Sequence, residues 1–217
     1  MTNNPVLVFL DANVLAKPVT RSLILFASTG SNYAVGWSAT AETEADRHLR
    51  AKQTTINTIR QAAGLELTPT GVVTGFLHTS ATDRQILADA VAAEASFIIT
   101  EDVDDFDIND LTSVDITAVN PDLYLAEAVT SDAYAQAIRR MAAAMTNPPR
   151  TPEQLHAAIG RQHPRTVTAH RAAFSAEPMP AANNPPDVIY RGTRCLRCKQ
   201  HHLPLTAGIC TNCLRNN

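Results

Sequence analysis

Cysteine is missing from the first 194 residues of this 217-residue chain. That rules out a disulfide framework spread through the fold and points to a reducing compartment. Aromatic residues make up only 5% of a sequence that is 45% hydrophobic, so a core must be aliphatic and alanine-rich. No basic segment precedes the first apolar run, and Asp11 cuts that run short, so nothing reads as a secretory signal. No apolar stretch has the length needed to span a bilayer, and there is no internal repeat. These absences predict a soluble, cytoplasmic protein without a membrane partner, built as one ordinary domain plus an appendage.

The apolar run Val6-Leu7-Val8-Phe9-Leu10 is short, β-branched at two positions and without helical period. It predicts a strand buried on both faces, as in a parallel sheet. Asp11 follows directly, where open α/β sheets place their chemistry. Further along, the pattern predicts a helix over 20–27, a strand over 33–37, a polar helix capped by Ser38, and a helix over 54–63. Val72-Val73 reads as a short strand. Ser80 to Asp83 has a capping-box pattern, and Ile86, Leu87, Ala90, Val91 and Ala95 recur at helical spacing. Phe97 to Thr100 reads as a second buried strand, and 115–119 as a last one. Helices are expected over 121–128, 131–145, from Thr151, and over 164–175. Helix alternating with strand implies parallel pairing: an α/β fold of three layers, α/β/α, on a central parallel sheet. The expected division is a domain over 1–146, a helical extension over 147–176, a linker over 177–190 with most of the local prolines, and a cysteine module over 191–217.

The net charge of −3 conceals a split. Residues 1–145 carry 9 Lys/Arg against 18 Asp/Glu, and residues 146–217 carry 9 against 3. An acidic body suits cations and a basic tail suits anions such as nucleic acid; alternatively the two halves attract each other.

Asp11 and Asp102 each follow a buried strand, so parallel strands bring both to one sheet edge. Asp83 lies in the first turn of the helix before the second of these strands, and Asp105 lies three residues after Asp102. Carboxylates gathered at one point repel unless a cation sits among them, and oxygen-only donors select Mg²⁺ or Mn²⁺. Taken singly, Asp11 and Asp83 read as well as turn or cap residues, and 101–110 as a solvated acidic loop.

Asp11-Ala12-Asn13-Val14-Leu15, Arg21, Trp37-Ser38 and Glu44, then Thr82 to Ala90 and Ile98 to Phe106, together resemble a PIN domain. The bacterial VapC-like toxin group is the branch most similar, with Asn120-Pro121-Asp122 and Asn147-Pro148-Pro149 adding to the likeness over residues 5–160. The resemblance implies a metal-dependent nuclease on a parallel sheet. By position, Asp11, Glu44, Asp83 and Asp102 match its catalytic acids, with Asp11, Asp83 and Asp102 as Mg²⁺ or Mn²⁺ ligands. Asp102 departs from the asparagine frequent in that branch. Asp105, Thr100 and Asn13 match supporting positions. Glu42 competes with Glu44, but two residues on a helix point about 200° apart, so at most one faces the site. No nucleophile–histidine pair stands near these motifs, and His48 and His78 read as surface or core residues. Arg84 reads as a structural residue. The implied activity is endoribonuclease hydrolysis leaving a 3′-hydroxyl, with an RNA substrate, a cognate antitoxin and a homodimer as partners. A haloacid-dehalogenase-type phosphatase also begins on a strand-end aspartate, but it needs a second aspartate where this chain has Asn13. A non-cleaving RNA- or protein-binding module and a structure-specific DNA nuclease are the alternatives.

Cys195-Leu196-Arg197-Cys198 and Cys210-Thr211-Asn212-Cys213 are two CxxC pairs eleven residues apart. This spacing predicts a structural Zn²⁺ held by four thiolates in a form that resembles a zinc ribbon. Gly208 suits the turn before the second pair, and His201 and His202 are not needed as ligands. Arg191, Arg194, Arg197 and Lys199 are candidate nucleic-acid contacts, or else balance the thiolate charge, as Arg215 also would.

Overall fold

The computed structural model describes residues 5–174, 188–201 and 204–215. His202 and all but the last three residues of the expected linker lie outside the described residues.

β1 (Val6–Leu10) carries Val8, Phe9 and Leu10 with no exposed surface, as a strand covered on both faces requires. Asp11 ends it, and α1 (Ala12–Leu15) starts at once. α2 (Pro18–Ser28) begins on Pro18, ahead of the expected position 20, because proline's fixed φ suits the first helical turn. β2 (Tyr33–Gly36) leads to α3 (Ala39–Arg47), where the Ser38 hydroxyl accepts the Ala41 N–H at 3.3 Å. α4 (Ile56–Ala62) follows. Val72-Val73 forms no strand: Val72 is 79% exposed, and the segment is held at Gly71, whose N–H donates to the buried Asp89 carboxylate at 2.8 Å. α5 (Arg84–Ala92) opens without the expected capping box, since the Asp83 side chain caps no backbone N–H.

β3 (Phe97–Ile99), α6 (Ile108–Ser113), β4 (Thr117–Val119), α7 (Pro121–Ala128) and α8 (Ser131–Ala144) complete the body. The strand expected from 115 starts at 117 because Asp115 has φ +60, outside extended backbone. α9 (Pro152–Ile159) opens on a full capping box between Thr151 and Gln154. α10 (Pro164–Ala169) is shorter than the expected 164–175. Buried Asp122 fastens it to α7, accepting the N–H groups of Arg165 and Thr166 at 3.1 and 2.9 Å.

The cysteine module contributes β5 (Tyr190–Arg191), a small hairpin of β6 (Leu205–Thr206) and β7 (Ile209–Cys210), and α11 (Thr211–Arg215). The main sheet runs β2-β1-β3-β4-β5, with the first four strands parallel and β5 antiparallel on the edge. The fold is therefore α/β on a mostly parallel central sheet, and that sheet extends into the cysteine module. Gly192 allows this edge pairing: a Cβ there would stand 2.3 Å from the Thr117 hydroxyl oxygen. Among the described residues no helix is long and apolar enough to cross a membrane.

The scarce aromatics are concentrated in the core. Trp37, Tyr124, Tyr134, Phe9, Phe97 and Phe106 are all fully buried. Strand order places the topological switch between β1 and β3, since the chain leaves β1 to one side and returns on the other. In sheets of this kind the crevice outside the carboxyl ends at that point is where ligands bind.

Candidate functional site

Asp11 and Thr100 stand side by side at the switch point. Asp11 is 5% exposed, and its Oδ1 accepts the Ala12 N–H at 2.6 Å. The buried Thr100 hydroxyl donates to Asp11 Oδ2 at 2.7 Å and accepts from Asn13 Nδ2 at 3.0 Å and the Asp102 N–H at 3.1 Å. That fills the one donor and two acceptor places a hydroxyl has. The Asn13 amide also donates to Asp102 Oδ2 at 3.1 Å and accepts the Glu101 N–H at 3.2 Å. Asp11, Asn13, Thr100 and Asp102 thus form one network across the ends of two parallel strands.

Glu44 on α3 and Asp83 before α5 face the same cleft, which has a volume of about 730 Å³ and also includes Asp102 and Asp105 in its lining. Glu42 points elsewhere: it accepts from Trp37 Nε1 at 3.0 Å and pairs with Arg60 at 2.9 Å. Asp83 is held by the hydroxyls of Ser80 and Thr82, the latter at 2.9 Å. Arg84 donates to the carbonyls of Thr79 and Leu77, a structural use.

Burial raises the Asp11 carboxyl to about 7, with the charges of Asp83 and Glu44 adding to the rise; the bonds from Thr100 and Ala12 oppose it. Asp105 is also raised, by desolvation and then by Asp83, Asp102 and Asp104, while the Arg191 guanidinium works against the rise.

The acidic run from 101 to 110 separates into different roles. Asp107 caps α6 through the Asn109 N–H at 2.8 Å. Asp110 is buried and accepts the N–H groups of His78 and Thr79 at 3.0 and 2.7 Å. Glu101 pairs with Lys17. Asp102 and Asp105 are left to the cleft. Lys17, His48, Arg50 and Gln162 also line it, and no spacing in the sequence marks them. Ser80 had a visible signal as the first residue of the capping pattern, although its hydroxyl serves Asp83 instead of the helix.

These carboxylates share a cleft without converging on one point. Among the described residues, the cysteines are the one set of metal-ligating groups close enough to hold a single ion, with their four sulfurs within 4.8 Å of one another. Tetrahedral Zn–S bonds of about 2.3 Å imply sulfurs about 3.8 Å apart, and Cys198 and Cys210 are separated by 3.9 Å. The donor set can hold a metal such as zinc. The sulfur of Cys195 accepts the Cys210 N–H at 3.3 Å. Burial raises the Cys195 thiol, but the bonds from Cys210, Cys198 and Arg197 outweigh that and bring it to about 7. Cys213 is pushed up to about 12 by desolvation and its neighbouring cysteines. Four such groups ionise together only when a cation shares their charge. No disulfide joins them.

The structure places all four candidate nucleic-acid residues in contacts with the body. Arg191 donates to the carbonyls of Asp104 and Phe106 at 3.2 and 2.9 Å. Arg194 meets the Asp115 carbonyl at 3.2 Å and pairs with its carboxylate, which His201 also reaches at 2.6 Å. Arg197 holds Glu127 through two nitrogens at 2.9 and 2.8 Å. Lys199 is buried and donates to the Asn32 carbonyl at 3.0 Å. Attraction between acidic body and basic tail is realised in the ion pairs of Arg194 with Asp115 and of Arg197 with Glu127.

Comparison of the chain with family models, with curated proteins and with solved structures finds no match.

Proposed function

We propose that this chain is a divalent-metal-dependent endoribonuclease of the PIN type, with a structural zinc in its C-terminal ribbon. The observation that carries the reading is Asp11: a buried carboxylate at the switch point of the sheet, raised to about 7 and facing a cleft shared with Glu44, Asp83, Asp102 and Asp105. Asp11 also caps α1 through the Ala12 N–H, but a cap does not need burial beside a cleft of further acids, and perturbed acids gathered in a cleft are what functional sites use. The donor set fits Mg²⁺ or Mn²⁺ in its chemistry, being all oxygen. Asp11, Asp83 and Asp102 would hold the ion, which when bound would activate a water and offset charge on the scissile phosphate.

The chain's own residues have separate tasks in this reading. Thr100 fixes the orientation of the Asp11 carboxylate, and Asn13 ties Asp102 to it. Arg50 at the same cleft supplies positive charge for a phosphodiester backbone. Preference for RNA, the toxin role and an antitoxin partner rest on the resemblance to the VapC-like group. A cytoplasmic location is part of the same proposal, supported by the four cysteines being free thiols in place of disulfides.

The wide spacing of the carboxylates favours a second reading, a non-cleaving RNA-binding module. One experiment decides. Purified protein is incubated with single-stranded RNA or single-stranded DNA, with Mn²⁺ or with chelator, beside Asp11→Asn. Mn²⁺-dependent RNA cleavage lost in the variant supports the nuclease. Equal cleavage by both proteins excludes Asp11 chemistry, and RNA binding without cleavage in every condition selects the second reading. Cleavage of DNA alone points to a DNA nuclease.

A further inference from the structure

The cysteine module and the acidic cleft are joined through one side chain. Arg191 lies on β5, the edge strand the module adds to the sheet, paired with Ala118 of β4. Its Nη1 donates to the carbonyls of Asp104 and Phe106, on either side of Asp105. These carbonyls belong to the turn that follows Asp102, so Arg191 fastens the backbone of the segment bearing both Asp102 and Asp105. The Asp105 carbonyl accepts the Ser80 N–H at 3.1 Å, and the Ser80 hydroxyl donates to Asp83. One continuous set of bonds therefore runs from β5 to three of the acids in the cleft.

The other end of β5 rests on the thiolate centre. Gly208, at φ +78, turns so closely over the strand that a Cβ would lie 2.9 Å from Leu196 and 3.0 Å from the Tyr190 ring. Leu196, between Cys195 and Cys198, donates its N–H to the Gly208 carbonyl at 2.9 Å. The Tyr190 hydroxyl donates to the Arg194 carbonyl at 2.6 Å. A module of this size has too little core to fold on burial alone, so the bound metal supplies much of its order. Strand β5 has only two residues and would not keep its edge position once the knuckles above Tyr190 loosen.

We infer that Arg191 is a positioning residue for the acidic segment 102–107, and that metal occupancy of the four cysteines governs how firmly that segment is held at the cleft. The consequence for ion binding at the carboxylates rests on the function proposed above; the mechanical coupling does not.

The test compares wild type, Arg191→Gln, Arg191→Lys and Glu127→Gln as full-length zinc-loaded chains, with zinc-stripped wild type as a fifth sample. Zinc content, amide exchange over 102–107, exchange at the Asn120 amide and Mn²⁺ affinity by calorimetry are measured. The Asn120 amide reports β5 docking, since it donates to the Ile189 carbonyl at 2.9 Å. Arg191→Gln is expected to keep one zinc, exchange about tenfold faster over 102–107 and bind Mn²⁺ several-fold more weakly. Arg191→Lys should recover part of both effects. Zinc stripping should reproduce both, while Glu127→Gln, which loosens the module only on its α7 side, should change neither. Unchanged exchange over 102–107 in Arg191→Gln overturns the inference. So does zinc stripping that frees the Asn120 amide but leaves 102–107 protected, or an equal effect from Glu127→Gln. If wild type binds no Mn²⁺ while the segment still responds to Arg191 and zinc, the coupling stands and the ion-site reading falls.

Discussion

Replacing Asp11 by asparagine should remove a cost that the fold carries above mildly acidic pH when no Mg²⁺ or Mn²⁺ is present. Burial raises the Asp11 carboxyl from 3.8 to about 7 in the native state. Because the folded value lies above the unfolded one, the native state binds the extra proton between them. The stability is therefore full below pH 3.8, declines as pH rises, and is lost once pH has passed about 7. Roughly three pH units at about 1.4 kcal/mol each set a ceiling of about 4 kcal/mol. Asparagine has no proton to lose, but its single carboxamide oxygen replaces only one of the two oxygens that accept from Ala12 and Thr100, so a pH-independent loss of about 1–3 kcal/mol sets against the gain. Other titrating groups are common to both proteins and cancel in the difference. Urea unfolding of zinc-loaded wild type and Asp11→Asn at pH 5, 6, 7 and 8 measures it. The variant should gain steadily on wild type, by about 2 to 3 kcal/mol between pH 5 and pH 8. Added Mn²⁺ should then raise wild type and leave the variant unmoved. A difference between the two proteins that does not change from pH 5 to pH 8 would refute the claim that the fold tolerates Asp11 at a cost.

Thr100→Val keeps the shape of the side chain but removes the donor to Asp11 and the acceptor for Asn13 and Asp102; a loss of about 2–3 kcal/mol at pH 8 is expected by denaturant unfolding. A loss under about 0.5 kcal/mol would show that water replaces the network. Cys195→Ser takes away a buried thiol, and elemental analysis should find zinc well below one per chain, with retention of a full equivalent counting against the four-thiolate centre. His156, His163 and His170 all have lowered pKa values, chiefly through burial. The unfolded chain takes up protons near pH 6.5 where the native state does not, so stability falls as pH drops below that value, by up to about 1.4 kcal/mol per unit for each histidine. The Asp11→Asn background displays this slope cleanly, since it lacks the opposing Asp11 contribution; stability that stays flat from pH 6.5 to 5 there would show that the histidines are protonated in the fold.

The parts of the fold legible in the sequence are those where burial leaves a periodic trace. β1 and β3 are apolar runs covered on both faces, and their carboxyl ends locate Asp11 and Asp102 before any coordinate is known. Ser38, Asn120 and Thr151 mark helix starts because capping is local chemistry. Where partners are distant the local signal misleads. Val72-Val73 has strand composition, yet the segment is tied to Asp89 on α5 instead of to a neighbouring strand. Ser80 has capping composition, yet its hydroxyl serves Asp83. Arg191 gives no sign in sequence of reaching the segment 85 residues earlier, because only β5 pairing with β4 brings it there.

Charge shows the same limit with the largest consequence for function. Counting residues reveals that the tail is basic, but not what its cations face. Arg191, Arg194, Arg197 and Lys199 are all turned to the acidic body or its carbonyls. A cation already paired gives up that partner before it can meet a phosphate, so these four are poor sources of nucleic-acid affinity. Any salt-dependent binding of RNA should then depend more on Arg50 at the rim of the cleft than on the cysteine module. The cysteine module's contribution becomes mechanical: it closes the edge of the sheet and, through Arg191, holds the segment that carries Asp102 and Asp105.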